Sequence, residues 1–214
     1  MKLDELHKIG ARHGTDKSDG NHTHCSESYL HIYEKYLNEY KKKKINFLEL
    51  GVKGGQSLRM WKEYFVNGNI YGVDFNPDCK KHEQAGIKVQ ICGQDDEKLV
   101  ELSRELGGFD IILDDASHIN SLCISSFNLL FPTLKKGGLY IMEDLGNSYL
   151  DLSSPNIYWD GELRKNASNG VHLNHDRKDL DKLFLDLIER MDRGDQEINA
   201  VHFWSKICII KKGG

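Results

Sequence analysis

A short apolar run followed at once by a glycine-rich turn is the feature that most constrains the fold of this chain. Ile45–Leu50 (INFLEL) has the composition of a buried strand, and the turn GVKGGQS follows it. Apolar residues then recur at helical spacing as far as Phe65. This order of strand, tight turn and helix begins a βαβ unit, in which glycines let the backbone pass close to a ligand.

The alternation of strand and helix patterns continues along the chain. After the first strand, the predicted strands are Ile70–Asp74, Val89–Ile91, Phe109–Asp114, Leu139–Met142, Ala200–Trp204 and Ile207–Ile210. Besides the helix that ends at Phe65, the predicted helices are Ser28–Lys43, Lys98–Leu106, Ser121–Leu134 with a stop signal at Lys135–Gly138, and Lys178–Arg190. The pattern predicts an α/β fold with a doubly wound, mostly parallel seven-stranded sheet of Rossmann-like type. The last two strands are expected to form an antiparallel hairpin at the sheet edge.

The 214 residues are predicted to form a single domain, since only three prolines occur and no linker divides the chain. Residues 1–44 are expected to form an N-terminal cap and helix, and residues 45–145 the core that carries the binding motifs. Residues 146–178 are an irregular loop rich in Ser, Asn, Asp and Gly, and residues 179–214 form the last helix and the hairpin.

Composition excludes several classes of function. The net charge of −4 provides no basic field for nucleic acid. No apolar stretch approaches the roughly 18 residues of a membrane span, and the N-terminus does not resemble a signal peptide, so a cytoplasmic location is expected. The five cysteines form no C-x-x-C pair, which favours free thiols over disulfides or a zinc site. A homo-oligomer is compatible with the sequence.

Two carboxylates are expected to lie near the glycine-rich turn in the fold. The turn has the spacing G-x-x-G-G instead of the G-x-G-x-x-G of dinucleotide binders. Glu49, just before it, would repel a pyrophosphate and attract a cation such as a sulfonium with an α-amino group. Asp74 ends the second strand, where a carboxylate commonly accepts hydrogen bonds from ribose hydroxyls. The turn could also be an ordinary connection between a strand and a helix.

Acidic residues and one histidine follow two further strands. Asp114, Asp115 and His118 follow the fourth strand, and Glu143 and Asp144 follow the fifth. These strands are expected to lie about 5 Å apart if adjacent, so the side chains would converge and their charges would repel unless neutralised. A divalent cation would neutralise them, and oxygen ligands favour magnesium, manganese or calcium over zinc. Magnesium is the ion we expect.

Two other interpretations of this acidic group stay open. The carboxylates could cap the helices that follow them, with His118 as a surface residue. The Asp-x-x-His spacing could also belong to a non-haem iron site, which needs a second histidine, either His172 or His175.

These motifs resemble the class I S-adenosylmethionine-dependent methyltransferases over the range from Phe47 to Glu143. Within that class, DDASHIN and MEDL resemble the sugar O-methyltransferases of the macrolide and aminocoumarin type, which carry an Asp-x-x-His element and a Glu-Asp pair. The N-terminal GTDK of Gly14–Lys17 matches the same subgroup, although Cys25 stands where the subgroup has a tyrosine.

The resemblance implies methyl transfer from S-adenosylmethionine to a hydroxyl of a sugar or glycan, with Mg²⁺ or Mn²⁺ as a second cofactor. It makes His118 the general base and assigns the metal to Asp115, Glu143 and Asp144. The residues that it implies in cofactor binding are Glu49 and Gly51 at the methionine end, Asp74 at the ribose, Gln94 and Asp95 at the adenine, and in addition Thr15, Lys17, Ser57 and Asp114.

The irregular loop is the expected acceptor site, because aromatic faces pack well against sugar rings. Its candidate residues are Tyr149, Tyr158, Trp159, His172 and His175. Ordinary loop packing would account for them equally well. Two other functions stay open, a nicotinamide-dependent oxidoreductase, against which Glu49 argues, and a nucleoside-binding module without chemistry.

Overall fold

The computed structural model describes residues 5–18, 28–149 and 177–214 of the chain. Its strands are Asn46–Leu50 (β1), Asn69–Asp74 (β2), Ile87–Ile91 (β3), Phe109–Asp114 (β4), Leu134–Met142 (β5), Ile198–Trp204 (β6) and Ile207–Lys212 (β7). They form one seven-stranded sheet in the order β3-β2-β1-β4-β5-β7-β6.

The sheet is parallel from β3 to β5, and the last two strands are antiparallel. The predicted fold class is therefore confirmed. The strand order reverses between β1 and β4, and in open α/β sheets ligands bind beyond the carboxyl ends of the strands at such a switch point. The loops after β1, β4 and β5 leave the sheet at or beside this point.

Helices cover both faces of the sheet. They are Glu5–His13 (α1), Tyr29–Leu37 (α2), Gln56–Tyr64 (α3), Lys98–Glu105 (α4), Asn120–Leu130 (α5) and the C-terminal helix Lys178–Asp192. The first three bury their apolar sides against one face, and the other three against the opposite face. Each face therefore carries its own hydrophobic core. Because side chains alternate along a strand, β1 contributes Phe47 to the core under the first three helices and Leu48 to the core on the opposite face. None of the helices in the described ranges has the length and apolar character that crossing a bilayer requires.

The boundary between α5 and β5 differs from the prediction. The predicted helix Ser121–Leu134 ends at Leu130 and passes into a 3-10 turn that contains Pro132, because a proline has no backbone N–H to continue the helical hydrogen bonds. The supposed stop signal Lys135–Gly138 lies inside β5. Gly137 has a φ of 74°, and the pairing of β5 with β4 shifts register beside it, so these glycines form an irregularity in the strand.

The N-terminal part also differs from the prediction. Helix α1 was not predicted, because few of its residues are apolar, although it buries Leu6 and Ile9. The predicted helix Ser28–Lys43 is shorter, and α2 continues only as a 3-10 turn at Asn38–Tyr40. In the C-terminal hairpin only β6 is an edge strand, because β7 pairs with β5.

We predict that Phe47→Ala lowers the free energy of unfolding by about 3–5 kcal/mol, because it leaves a cavity in a close-packed core. The Phe47 ring is fully buried, and its centroid lies 5.0 Å from that of Trp61 and 5.4 Å from that of Phe65. Phe75→Ala is the matched control, since Phe75 is 84% exposed and should change stability by about 0.5 kcal/mol or less. Urea denaturation checks both values, and equal effects would contradict the assigned core.

Candidate functional site

Two loops meet closely at the switch point of the sheet. Gly51, after β1, has a φ of 94°, and a Cβ atom on it would lie 2.2 Å from the carbonyl oxygen of Asp115, after β4. Any side chain at this position would therefore clash with the second loop. The backbone N–H of Asp115 also donates to the carbonyl of Leu50 at 3.0 Å. These contacts place the glycine-rich turn directly beside the acidic segment.

Asp74 holds the glycine-rich turn from the end of β2. Its Oδ2 accepts hydrogen bonds from the backbone N–H groups of Val52 at 2.9 Å and Lys53 at 3.1 Å, and its Oδ1 accepts one from Asn76 at 2.9 Å. Burial favours the neutral acid, but these three donors outweigh it and lower the pKa of Asp74. Asp74 therefore lies at the predicted place, as a partly exposed carboxylate.

Glu49 is fully buried at the end of β1, and its two carboxylate oxygens have different surroundings. Oε2 accepts a hydrogen bond from the Ser57 hydroxyl at 2.8 Å, whereas Oε1 has no hydrogen-bond partner among the described residues. Burial raises the pKa of Glu49 to about 7, although the nearby Lys17 ammonium opposes this. A buried carboxylate oxygen without a donor is costly, so this atom suits a ligand with a cationic or hydrogen-bond-donating group.

Gln94 and Asp114 form part of a buried polar network. The Gln94 amide nitrogen donates to Asp114 Oδ1 at 3.4 Å and to the Ser126 hydroxyl at 3.2 Å, while its oxygen accepts from the backbone N–H of Ser117 at 3.2 Å. Ser126 donates to the other Asp114 oxygen at 2.7 Å. Burial raises the pKa of Asp114 to about 6, although the bond from Ser126 opposes the shift. Asp95, by contrast, is exposed. The network joins the loops after β3 and β4.

Asp115, His118 and Asp144 form a group that can hold a metal ion. Each offers one ligand atom, and these atoms lie within 4.8 Å of one another. His118 Nε2 is 3.7 Å from Asp115 Oδ1 and 3.8 Å from Asp144 Oδ2. The three side chains are between 17% and 21% exposed, so a ligand can reach them. The two carboxylates supply oxygen ligands of the kind that Mg²⁺ or Mn²⁺ prefers, and the group contains one histidine where the non-haem iron triad needs two. The candidate second histidines, His172 and His175, lie outside the described residues.

Two members of this group have strained backbones. His118 has a φ of 55° and Asp144 a φ of 56°. Both values lie in the left-handed region of backbone conformation, which residues other than glycine disfavour. Such a conformation costs roughly 1–3 kcal/mol and persists only where the surroundings impose it. Around Asp144, the backbone N–H of Asn147 donates to its carbonyl at 2.8 Å, and Leu145 N–H donates to the carbonyl of Lys206 at 2.9 Å. Strain of this kind commonly marks functional sites.

Lys17 lies between Glu49, beside the glycine-rich turn, and the acidic residues that follow β4 and β5. Its side chain is 1% exposed, and its Nζ donates to Asp115 and, at 2.9 Å, to Glu143 Oε2. Glu49 Oε1 is 3.7 Å from the same nitrogen. Burial alone would lower the pKa of Lys17, but the three carboxylates raise it well above its usual value. Thr15 is buried nearby and accepts a weak hydrogen bond from the Lys17 backbone at 3.4 Å.

Glu143 is a buried carboxylate whose pKa is raised well above the usual value, first by burial and then by Asp115, with Lys17 opposing. Its Oε2 also accepts a hydrogen bond from the Tyr33 hydroxyl at 2.8 Å. Tyr29, one turn earlier in α2, donates to Asp144 Oδ1 at 2.5 Å. In the sequence, these tyrosines are recognisable only as members of the predicted helix Ser28–Lys43. Their partners are more than 100 positions away, so no local pattern could have revealed the contacts.

No known protein-family model matches the chain. Among curated proteins, it is 38% identical over 149 residues to the 8-demethyl-8-alpha-L-rhamnosyl tetracenomycin-C 2'-O-methyltransferase of Streptomyces olivaceus, covering 66% of this chain and 38% of that protein. It is 32% identical over 191 residues to the demethylmacrocin O-methyltransferase of Streptomyces fradiae, covering 85% of this chain and 47% of that protein. The chain thus spans about half or less of the length of these relatives.

Solved structures agree with this relationship. The MycE methyltransferase of the mycinamycin biosynthetic pathway, in complex with Mg, SAH and mycinamycin VI, matches the chain with a TM-score of 0.77 and 27% identity. The match covers 99% of this chain and 55% of that chain. The resemblance inferred from the sequence is therefore confirmed: in sequence and fold, the chain is related to the sugar O-methyltransferases of macrolide and tetracenomycin pathways, within the class I S-adenosylmethionine-dependent methyltransferases.

Proposed function

We propose that this chain takes part in transferring a methyl group from S-adenosylmethionine to a hydroxyl of a sugar or glycan, with the help of Mg²⁺ or Mn²⁺. The observation that carries the proposal is the close contact between Gly51 and Asp115, which puts the buried carboxylate of Glu49 and the acidic group at the same end of the sheet. The tetracenomycin relative is named for a rhamnosyl compound, and the MycE methyltransferase was solved with Mg, SAH and mycinamycin VI. Because the chain spans only part of these relatives, the activity is proposed for the site it carries.

The proposed cofactor residues surround the turn after β1. Glu49 Oε1 is buried and accepts no hydrogen bond among the described residues, which suits the α-ammonium group at the methionine end, and Ser57 donates to the second oxygen. Gly51 allows close approach of the backbone, and Asp74 would accept from the ribose hydroxyls. Gln94 and Asp95 are proposed to contact the adenine. The further proposed contacts are Asp114, Thr15 and Lys17.

Charge balance favours binding of both a divalent cation and S-adenosylmethionine. Counted as ionised, Glu49, Asp115, Glu143 and Asp144 carry four negative charges, and the buried Lys17 ammonium, which lies beside the first three, leaves three. A divalent cation held by Asp115, Glu143 and Asp144 would remove two. S-adenosylmethionine, with a sulfonium, an ammonium and a carboxylate, has a net charge of +1 and would remove the third. Like charges in a buried site repel strongly, so this balance supports binding both ligands.

His118 is the group that we propose as the general base. An imidazole is the side chain that most often exchanges protons near neutral pH, and Nε2 of His118 would accept the proton of the sugar hydroxyl. The carboxylates of Asp115 and Asp144, 3.7 and 3.8 Å away, would stabilise the resulting imidazolium. Bound to the carboxylates of Asp115, Glu143 and Asp144, a divalent ion would make the hydroxyl a stronger acid, and S-adenosylmethionine would supply the methyl group.

The acceptor is proposed to be a glycoside or glycan. The aromatic residues expected to hold it, Tyr158 and Trp159, lie outside the described residues, and so does the side chain of Tyr149. The net charge of −4 argues against a nucleic-acid partner.

We predict that Glu49→Gln weakens binding of S-adenosylhomocysteine about 10-fold, because it keeps the shape of the side chain but removes a buried charge that meets an ammonium group. Titration calorimetry with Mg²⁺ present measures the change, and NAD is titrated in parallel. Glu101→Gln, at an exposed position of α4, is the control and should bind as the unaltered protein does. Unchanged affinity in Glu49→Gln would remove Glu49 from the cofactor site, and saturable binding of NAD alone would overturn the proposed function.

We predict that His118→Ala lowers turnover about 100-fold or more, the scale of a lost general base, and leaves the affinities for Mg²⁺ and S-adenosylhomocysteine within about twofold. Turnover is measured as transfer of a radiolabelled methyl group to a panel of glycosides that includes α-L-rhamnosides, and affinities are measured by calorimetry.

The control for this experiment is His202→Ala, an exposed histidine on β6, which should retain full turnover. A large loss of Mg²⁺ affinity in His118→Ala would show that His118 is a metal ligand and contradict its role as a base. Full turnover in His118→Ala would exclude it from both roles.

A further inference from the structure

Lys17 has an environment that a contact with the cofactor does not by itself explain. A lysine ammonium is strongly hydrated in water, and burying it is costly unless opposite charges and hydrogen bonds replace the water. Here the side chain is 1% exposed, and its Nζ contacts Asp115 and Glu143 and lies 3.7 Å from Glu49. The ammonium is thus shared by three carboxylates that come from the ends of three different strands or the loops after them.

The segment that carries Lys17 is held in place by its own contacts. Gly14 has a φ of 65° and turns the chain back after α1, and the Thr15 N–H donates to the Gly10 carbonyl at 3.2 Å. The Ser18 hydroxyl donates to the Thr15 carbonyl at 2.7 Å. Helix α1 itself packs closely on its neighbours, since a Cβ atom on Gly10 would lie 2.3 Å from Leu30. Lys17 therefore lies in a turn that hydrogen bonds connect to the end of α1.

The partners of Lys17 overlap with the residues proposed to hold the metal. Asp115 belongs both to the group of three potential ligands and to the contacts of Lys17, and Glu143 directs one oxygen to Lys17. A divalent cation bound to these carboxylates would lie close to the ammonium, and the two positive charges would repel each other. The Lys17 ammonium and a divalent cation would stabilise the same carboxylates. The presence of either one therefore reduces the stabilisation that the other can add.

We propose that Lys17 is a positioning residue that serves as the built-in counter-ion of the acidic site. In the metal-free protein it holds Asp115, Glu143 and Glu49 together, and it competes with a divalent cation for Asp115 and Glu143. The competition with the metal rests on the proposed function, whereas the role in the metal-free protein does not. Without Lys17, the protein depends on the divalent cation for the stability that the ammonium otherwise supplies.

The test compares Lys17→Met with Lys17→Arg, which keeps the positive charge. In EDTA, the melting temperature of Lys17→Met should fall by about 5–10 °C, because an unpaired group of buried carboxylates remains. Millimolar Mg²⁺ should restore most of this loss, and calorimetry should show at least about 10-fold tighter Mg²⁺ binding than in the unaltered protein. Lys17→Arg should melt in EDTA closer to the unaltered protein than Lys17→Met does.

A purely structural role for the lysine stem predicts different results. Lys17→Met would then be destabilised equally with and without Mg²⁺, and its Mg²⁺ affinity would not rise. Either result, or failure of Lys17→Met to fold even in Mg²⁺, would overturn the proposal. The double variant Lys17→Met/Glu143→Gln gives a second check, because removing a charge of each sign should recover part of the metal-free stability. No recovery would also count against the proposal.

The same titrations separate this proposal from the proposed function. If neither the unaltered protein nor Lys17→Met binds Mg²⁺, the metal-dependent function fails and the competition fails with it. If Lys17→Met binds Mg²⁺ and the unaltered protein does not, Lys17 is confirmed as the counter-ion while a metal-dependent reaction is contradicted.

Discussion

Mutual repulsion among buried carboxylates is the constraint on which the rest of this site depends. The parallel sheet brings the ends of β1, β4 and β5 to one edge, and each strand or the loop after it contributes acidic groups. Glu49 and Glu143 are almost completely removed from water, which makes each of them a stronger perturbation on its neighbours than a surface acid would be. The lysine ammonium and the tyrosine hydroxyls stabilise these negative charges. The two proposed ligands would stabilise them further.

Geometry and strain follow from the same constraint. Gly51 lets the loop after β1 touch the loop after β4, so the glycine-rich turn and the acidic group lie in direct contact. His118 and Asp144 keep left-handed backbones that cost free energy and turn their side chains towards each other, to 3.8 Å between Nε2 and Oδ2. Helix α2 adds Tyr29, whose hydroxyl donates to Asp144 Oδ1 at 2.5 Å. A preorganised site of this kind suits a reaction whose rate depends on positioning.

Local sequence signals predicted the framework well. The apolar run of β1, the glycine turn after it and the boundaries of β4 at Phe109–Asp114 depend on neighbouring residues, and the structure has them where expected. Errors arose where distant contacts decide the outcome. Helix α1 is stabilised by packing on α2 and α3, and the glycines of Lys135–Gly138 adapt to pairing with β4 instead of ending a helix.

The same distinction applies to the site. The carboxylates and His118 were recognisable, because each follows a strand whose end lies at a known edge of the sheet. The position of Lys17 between Glu49 and Glu143, and the network that occupies the Gln94 amide, depend on residues that meet only in the folded chain. The division of the chain into a single domain and the acceptor loop remain predictions, since residues 150–176 lie outside the described ranges.

The measurement that tests the central claim most directly is an anomalous difference map from crystals grown with Mn²⁺ and S-adenosylhomocysteine. The account predicts a strong peak about 2–2.3 Å from carboxylate oxygens of Asp115 and Asp144, and electron density for the homocysteine end of S-adenosylhomocysteine beside Glu49. Peaks found only at other places, or no peak at saturating Mn²⁺, would contradict a metal-dependent methyl transfer at this site.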